Sequence, residues 1–185
     1  SRVYSYNLNS KEKNLVKEQQ IPSGHNPENY IVERVNCKSH DGRMVPITIT
    51  RHKNTKLDGS ANLLLYGYGS YGSSMSPSFS STRLSLINRD IIWVTAHIRG
   101  GMERGMKWWK EGKLLNKKNT FEDYIASAEY LIENKYTSKN KIIGMGGSAG
   151  GLLMGAVVNQ APELFLGIIM AVPFVDSLTT NLDHS

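Results

Sequence analysis

Short, continuously apolar runs alternate along most of this chain with longer segments of helical period. Residues 62–66, 91–96, 141–145 and 167–172 are each five or six residues long and dominated by Leu, Ile and Val, the pattern of strands covered on both faces. Between them, residues 81–88 read as a helix. Residues 120–134 read as a longer one: Phe121, Tyr124, Ile125, Ala128 and then Leu131 or Ile132 share one stripe, and Thr120 with Asp123 has the spacing of a capping box. Residues 152–158 are apolar nearly all round, which predicts a buried helix. This alternation predicts an α/β fold, with a parallel sheet, helices on both faces and its chemistry at the carboxyl ends of the strands.

The first part of the chain is patterned differently. Residues 3–8 alternate, Asn9-Ser10 turns, and 15–21 resume in extended style, so the opening thirty residues read as a strand pair. A run of turn formers over 22–27 then marks a boundary. Residues 30–37 and 44–50 flank His40-Asp41-Gly42, and Asp-Gly is a hairpin signal, so these are the first strands of the main domain. Pro46 has no N–H for a ladder and argues for an edge position there.

Composition adds bounds. The 185 residues are 39% hydrophobic and 21% charged, an ordinary globular balance large enough for a core. The single cysteine, Cys37, has no disulfide or metal partner at suitable spacing; it reads as a small buried hydrophobe and points to a reducing, cytoplasmic setting. No apolar run approaches eighteen residues and the amino terminus has no signal-peptide pattern, so neither membrane span nor secretion is expected. The net charge of +6 gathers at Arg104, Lys107, Lys110, Lys113, Lys117 and Lys118, interleaved with Trp108 and Trp109. The excess is modest and no nucleic-acid module is present, so this reads as a solvated basic face over one packed and one half-buried tryptophan on a short helix.

The candidate chemistry lies at Gly146-Gly147-Ser148-Ala149-Gly150-Gly151, between the run 141–145 and the apolar helix. G-x-S-x-G at a strand–turn–helix junction is a nucleophile elbow, in which flanking glycines admit a tight turn that exposes the serine. The pentapeptide alone is common by chance; its flanks give it meaning. With Ser148 as nucleophile, the Ala149 N–H forms one arm of an oxyanion hole. The loop Gly67 to Gly72 follows an earlier strand, where the second arm belongs, and Tyr68 brings a phenolic donor to it; from position alone Tyr68 is equally a packed aromatic. Acyl transfer of this kind needs no cofactor or metal.

Several of these segments together resemble the prolyl oligopeptidase family of serine peptidases. They are Tyr66-Gly67-Tyr68-Gly69-Ser70-Tyr71-Gly72, His97-Ile98-Arg99-Gly100-Gly101, Lys117-Lys118-Asn119-Thr120-Phe121-Glu122-Asp123-Tyr124 and the elbow hexapeptide. Asn159-Gln160-Ala161-Pro162-Glu163-Leu164-Phe165 and Val172-Pro173-Phe174-Val175-Asp176 are similar to its oligopeptidase B (protease II) branch. The resemblance implies an α/β-hydrolase-type sheet, Ser148 as nucleophile, Tyr68 and the Ala149 N–H at the oxyanion, and Tyr71 bordering the pocket for the substrate side chain. It implies short peptide substrates, cleavage after Lys or Arg, and residues 1–30 as the last strands of a propeller ahead of a partial peptidase domain over 31–185. Met102 departs from the family's glycine run after Arg99 and puts the shape of that loop in question.

A triad in this fold runs Ser, then acid, then His, on loops after later strands. Only 37 residues follow Ser148, room for the strand at 167–172 and little more, since a strand–helix–strand unit takes about thirty residues. Asp176 reads as a loop carboxylate and Asp183-His184 as a solvated pair; His25, His40 and His52 sit on turns or strand ends, and His97 matches a structural turn. The acids that the resemblance assigns to Lys/Arg preference also fall beyond Ser185. The expectation is a piece of a longer enzyme, inactive alone, that works with a second chain supplying the missing strands or else is a non-catalytic remnant. An acylaminoacyl peptidase or esterase of the same fold is the alternative enzyme.

Overall fold

In the computed structural model, residues 1–22, 24–76 and 78–183 are described; Ser23 of the turn-rich boundary and His184 of the terminal pair lie outside them. Strands β1 (Arg2–Tyr6) and β2 (Lys13–Glu18) form an antiparallel sheet of their own, exposed along its length. The main sheet has six strands: β3 (Tyr30–Lys38), β4 (Met44–His52), β5 (Leu63–Tyr66), β6 (Ile92–Ala96), β7 (Ile142–Gly147) and β8 (Phe165–Ala171), in the order β3-β4-β6-β5-β7-β8. The four strands that helices separate are parallel to one another. β4 is antiparallel to β3, as the hairpin signal predicts, and also to β6, so the sheet is mixed. The cause is local: a tight turn at Asp41-Gly42 can join only antiparallel strands.

The helices are α1 (Ser81–Ile87), α2 (Met106–Lys110), α3 (Lys118–Glu133), α4 (Ala149–Gln160) and α5 (Ser177–Leu182). Alternation along the strands sorts them between the faces. Ile47, Ile49, Ile92, Val94 and Ala96 are buried on one face with Tyr124 and Leu131 of α3 and Leu153 and Met154 of α4. Thr48, Thr50, Trp93 and Thr95 point the other way, toward α1, where a cavity of about 620 Å³ opens between helix and sheet. Arg83 of α1 lies over the Trp93 ring at 4.7 Å. Helices therefore stand on both faces, and α4 is buried over its first six residues except Leu152.

Two local readings are corrected. Pro46 is not on an edge, because β4 lies between β3 and β6. A residue's N–H and C=O point to the same side of a strand. The Pro46 carbonyl accepts from the His97 N–H at 2.9 Å on the β6 side, one residue before the β4–β6 register begins at Ile47, and the His97 carbonyl, which a Pro46 N–H would have met, accepts from Trp108 Nε1 instead. Nor do Thr120 and Asp123 form a capping box. α3 begins earlier, at Lys118, and the Thr120 hydroxyl donates to the Arg99 carbonyl at 2.8 Å. Asp123 is fully buried and its carboxylate accepts from the Arg99 backbone N–H, Nε and Nη2 at 3.0, 2.8 and 2.6 Å. A charge-assisted network in the interior outweighs a cap that water can replace.

Arg99 is itself 1% exposed, and Asp41 of the β3–β4 turn completes its shell. Burial acts against the charge on Arg99, and the carboxylates of Asp123 and Asp41 outweigh it, so the guanidinium is held above its usual pKa. For Asp41 burial also opposes ionisation, and the bonds from Arg99 outweigh it, leaving the carboxyl below its usual range. Replacing Asp123 by Ala strands a buried cation and should lower stability by about 3–5 kcal/mol in urea unfolding. Because the folded Asp41 pKa is depressed, its contribution is present above about pH 4 and is lost as pH falls through the lower folded value. The acid-side slope of stability against pH should therefore be shallower in Asp41→Asn than in the wild type.

Candidate active site

β7 ends at Gly147 and α4 begins at Ala149, which leaves Ser148 alone to make the turn. Its backbone takes φ 56°, ψ −118°, a region that costs a residue with a Cβ about 1–3 kcal/mol. The surroundings hold it there: the Ser148 N–H donates to the Ala171 carbonyl at 2.9 Å, and its carbonyl accepts from Gly151 at 2.8 Å and Phe174 at 3.0 Å. Both ends of the turn exit from β8 thus grip the serine. The flanking glycines are steric necessities. A Cβ on Gly146 would overlap the Gly150 carbonyl, and one on Gly151 would overlap Pro173.

Ser148 is exposed, and its hydroxyl has no hydrogen-bond partner among the described residues. Ala149 is buried. As the first residue of α4 its N–H has no acceptor within the helix, and the positive end of the helix dipole lies there. Tyr68 is half-buried and comes close to the same point: a Cβ on Gly150 would stand 3.4 Å from the Tyr68 ring and 2.9 Å from the Gly67 carbonyl. The structure therefore packs the Tyr68 loop against Gly150, the residue after Ala149 in the first turn that follows Ser148. Tyr71 sits further along the same loop, 80% exposed, at φ 56°.

That loop is built to be tight. Gly69 and Gly72 have φ of 67° and 66°, and the Gly72 N–H donates to the Gly100 carbonyl at 2.9 Å. Gly100 packs so closely on the Gly69 carbonyl that any side chain there would overlap it. Met102, in place of a glycine, leaves this contact intact and turns its methyl toward Gly72 and the neighbouring Trp109. Trp108 is buried and donates to the His97 carbonyl at 3.0 Å, whereas Trp109 is half-buried beneath Lys113 at 3.6 Å.

Among the described residues, none of the four histidines and not Asp176 is bonded to the serine. His97 is buried on the other side of its turn, with Nε2 2.8 Å from Thr48 and Nδ1 3.4 Å from Glu103. His25 stacks on Tyr30, His40 pairs with Glu122, and His52 lies edge-on to Tyr30. Asp176 is committed as the cap of α5, accepting from the Thr179 N–H at 3.0 Å. A residue that pattern reading missed is Lys117. Its ammonium donates to the Gly69 carbonyl at 2.6 Å and the Ser70 hydroxyl at 2.8 Å, on the loop that carries Tyr68. The available signal was a lysine at the start of a helix, where acids are favoured.

The strain at Ser148 can be read by substitution. Ser148→Gly should be more stable than Ser148→Ala by about 1 kcal/mol, because glycine adopts positive φ without penalty while alanine keeps the strained Cβ. Denaturant midpoints of the two variants give the comparison, and equal midpoints would show an unstrained turn.

The sequence pattern of the prolyl oligopeptidase family matches residues 77–185. The chain is 47% identical to the dipeptidyl aminopeptidase BI of Pseudoxanthomonas mexicana over 182 residues, 98% of this chain and 25% of the relative. It is 44% identical to protease 2 of Moraxella lacunata over 183 residues, 99% of this chain and 26% of the relative. The solved structure of oligopeptidase B from Leishmania major superposes with a TM-score of 0.91 at 41% identity, over 98% of this chain and 25% of that one. The chain thus spans about a quarter of the length of the curated relatives it matches. Its six-stranded sheet with α1 on one face and α3 and α4 on the other corresponds to part of their α/β-hydrolase-type sheet, and the chain belongs to the prolyl oligopeptidase family.

Proposed function

We propose that this chain is the nucleophile-bearing part of a serine-type oligopeptidase that cleaves short peptides after Lys or Arg. The observation that carries the reading is Ser148 held at positive φ between β7 and α4, with the Tyr68 loop packed against the start of that helix. In the reaction, Ser148 Oγ bonds to the scissile carbonyl carbon while the carbonyl π pair moves onto oxygen. The Ala149 N–H and the Tyr68 O–H donate to that oxyanion, and one such donor is worth about 3–4 kcal/mol of barrier. Collapse expels the amine, which takes up the proton lost by the serine, and water then hydrolyses the Ser148 ester. Tyr71, exposed at the mouth of the loop, borders the substrate side chain.

The proton needs a carrier. A serine hydroxyl without a base is a weak nucleophile, so these 185 residues alone do not turn over; a partner segment with an Asp and a His completes the site. What supports such a partner is β8. It is the last strand of the sheet among the described residues, and Leu166, Ile169, Met170 and Val172 are exposed on and just after it, a surface that another strand would cover. Residues 1–30 are then the closing strands of a propeller, and residues 31–185 the first portion of the peptidase domain, a division supported by the separate pairing of β1 with β2.

A second reading, removal of dipeptides from a free amino terminus, is favoured by the relative named dipeptidyl aminopeptidase BI. The test uses fluorogenic arginyl dipeptides, blocked and free at the amino terminus. The chain alone should show no turnover. Co-expressed with the segment of the Pseudoxanthomonas relative that follows its matched residues, it should cleave the blocked substrate, and Ser148→Ala should abolish cleavage. Preference for the free amine would select the second reading, and turnover that survives Ser148→Ala would defeat both.

A further inference from the structure

Lys117 occupies a position that helix formation does not explain. It is the residue before α3, a helix of 16 residues with no acidic residue in its first turn and no side-chain cap. The positive end of the helix dipole lies there, so an ammonium group is electrostatically misplaced. Its backbone is fixed from both sides. The Lys117 N–H donates to the Leu114 carbonyl and its carbonyl accepts from Thr120, each at 3.0 Å. The side chain extends from this rigid start to a loop 47 residues away in sequence, where Nζ meets the Gly69 carbonyl at 2.6 Å and the Ser70 hydroxyl at 2.8 Å. Ser70 is itself buried. A cation withdrawn from water against two neutral oxygens is costly unless those bonds are made.

The loop needs such a tether. Gly69, Tyr71 and Gly72 all have positive φ, and a segment of this conformation relaxes unless its surroundings determine it. Gly100 supports the Gly69 carbonyl from beneath and accepts from the Gly72 N–H. Ile98 and Thr120 pack on Gly69, the Ser73 N–H donates to the Ser70 carbonyl at 3.0 Å, and Lys117 adds the one cationic donor to this loop. We propose that Lys117 is a positioning residue: it clamps the Gly69 carbonyl and the Ser70 hydroxyl, and so fixes where Tyr68 and Tyr71 meet a bound peptide. This rests on the peptidase reading for its purpose, though not for its test.

Burial lowers the Lys117 ammonium to about 8, and no ionised neighbour contributes to that shift. The loop it clasps carries the phenols of Tyr68 and Tyr71, and its own segment carries Lys113 and Lys118. The clamp therefore has a protonation signature. As pH rises through about 8, charge-assisted bonds give way to weaker neutral ones, and the loop amides should report it.

The experiment uses the 185-residue chain and nuclear magnetic resonance, without turnover. In Lys117→Met, exchange of the Gly72 amide should accelerate by about tenfold, while the Gly67 amide, bonded to the Met145 carbonyl at 3.1 Å, keeps its rate. Lys117→Arg retains a donor and a permanent charge, and should restore Gly72 protection. Amide shifts of residues 69–72 should titrate with a midpoint near 8 in the wild type and be flat over that range in both variants. Unchanged Gly72 exchange in Lys117→Met, acceleration of Gly67 and Gly72 alike, or the same titration persisting without the lysine would each overturn the assignment. None of these outcomes depends on whether Ser148 acts in a peptidase.

Discussion

The arrangement around the serine depends on one ion that never meets it. Arg99 carries a permanent charge into the interior, and the two carboxylates that neutralise it come from distant elements, the β3–β4 turn and the second turn of α3. Once those partners are in place the chain at Arg99 cannot shift, so Gly100 is fixed as well. Gly100 in turn is the floor on which the Gly69 carbonyl rests. The buried ion pair is not obviously a source of net stability, since desolvation offsets much of its attraction. Its effect is to permit one registration of three loops and to make alternatives costly.

Above this floor, two of the chain's positive-φ residues lie at the candidate site. Ser148 and Tyr71 both hold positive φ while carrying side chains, and both belong to the surface that the peptidase reading uses. Neighbouring parts supply the constraint: the β8 exit holds Ser148, and Gly100 with Lys117 holds the Tyr71 loop. A turn that were relaxed on its own would need no such grip, and would present its hydroxyl or phenol over a range of directions. Preorganisation of this kind matters because oxyanion donors contribute only when already aimed at the developing charge.

Much of this was legible in the sequence. The apolar runs located β5, β6, β7 and β8, because strands buried on both faces have nowhere to place polar side chains. Gly146 was legible because it answers to the Gly150 backbone within its own turn, whereas Gly151 answers to Pro173 beyond β8 and was legible only through the elbow pattern. Legibility failed where a distant partner decided a local choice. Thr120 and Asp123 had cap spacing, yet Arg99 drew both inward, and nothing near them in sequence announces a buried guanidinium. Pro46 could not be placed because the side on which β4 lacks a donor depends on where the β6 ladder begins. Lys117 was hidden for the same reason: its acceptors lie on a loop it meets only after folding.

The hydrogen bonds from Ala171 and Phe174 to Ser148 also set an order of events. During synthesis the elbow sequence emerges before β8 does, and domains begin to form from the amino-terminal side. Until residues 171–174 arrive, the serine lacks two of the three bonds that hold its dihedral angles, and it is free to relax into an ordinary turn. The geometry of Ser148 is therefore completed late, as an outcome of docking the following strand. A nascent chain that stops short of β8 has the serine without the geometry that residues 171–174 impose on it.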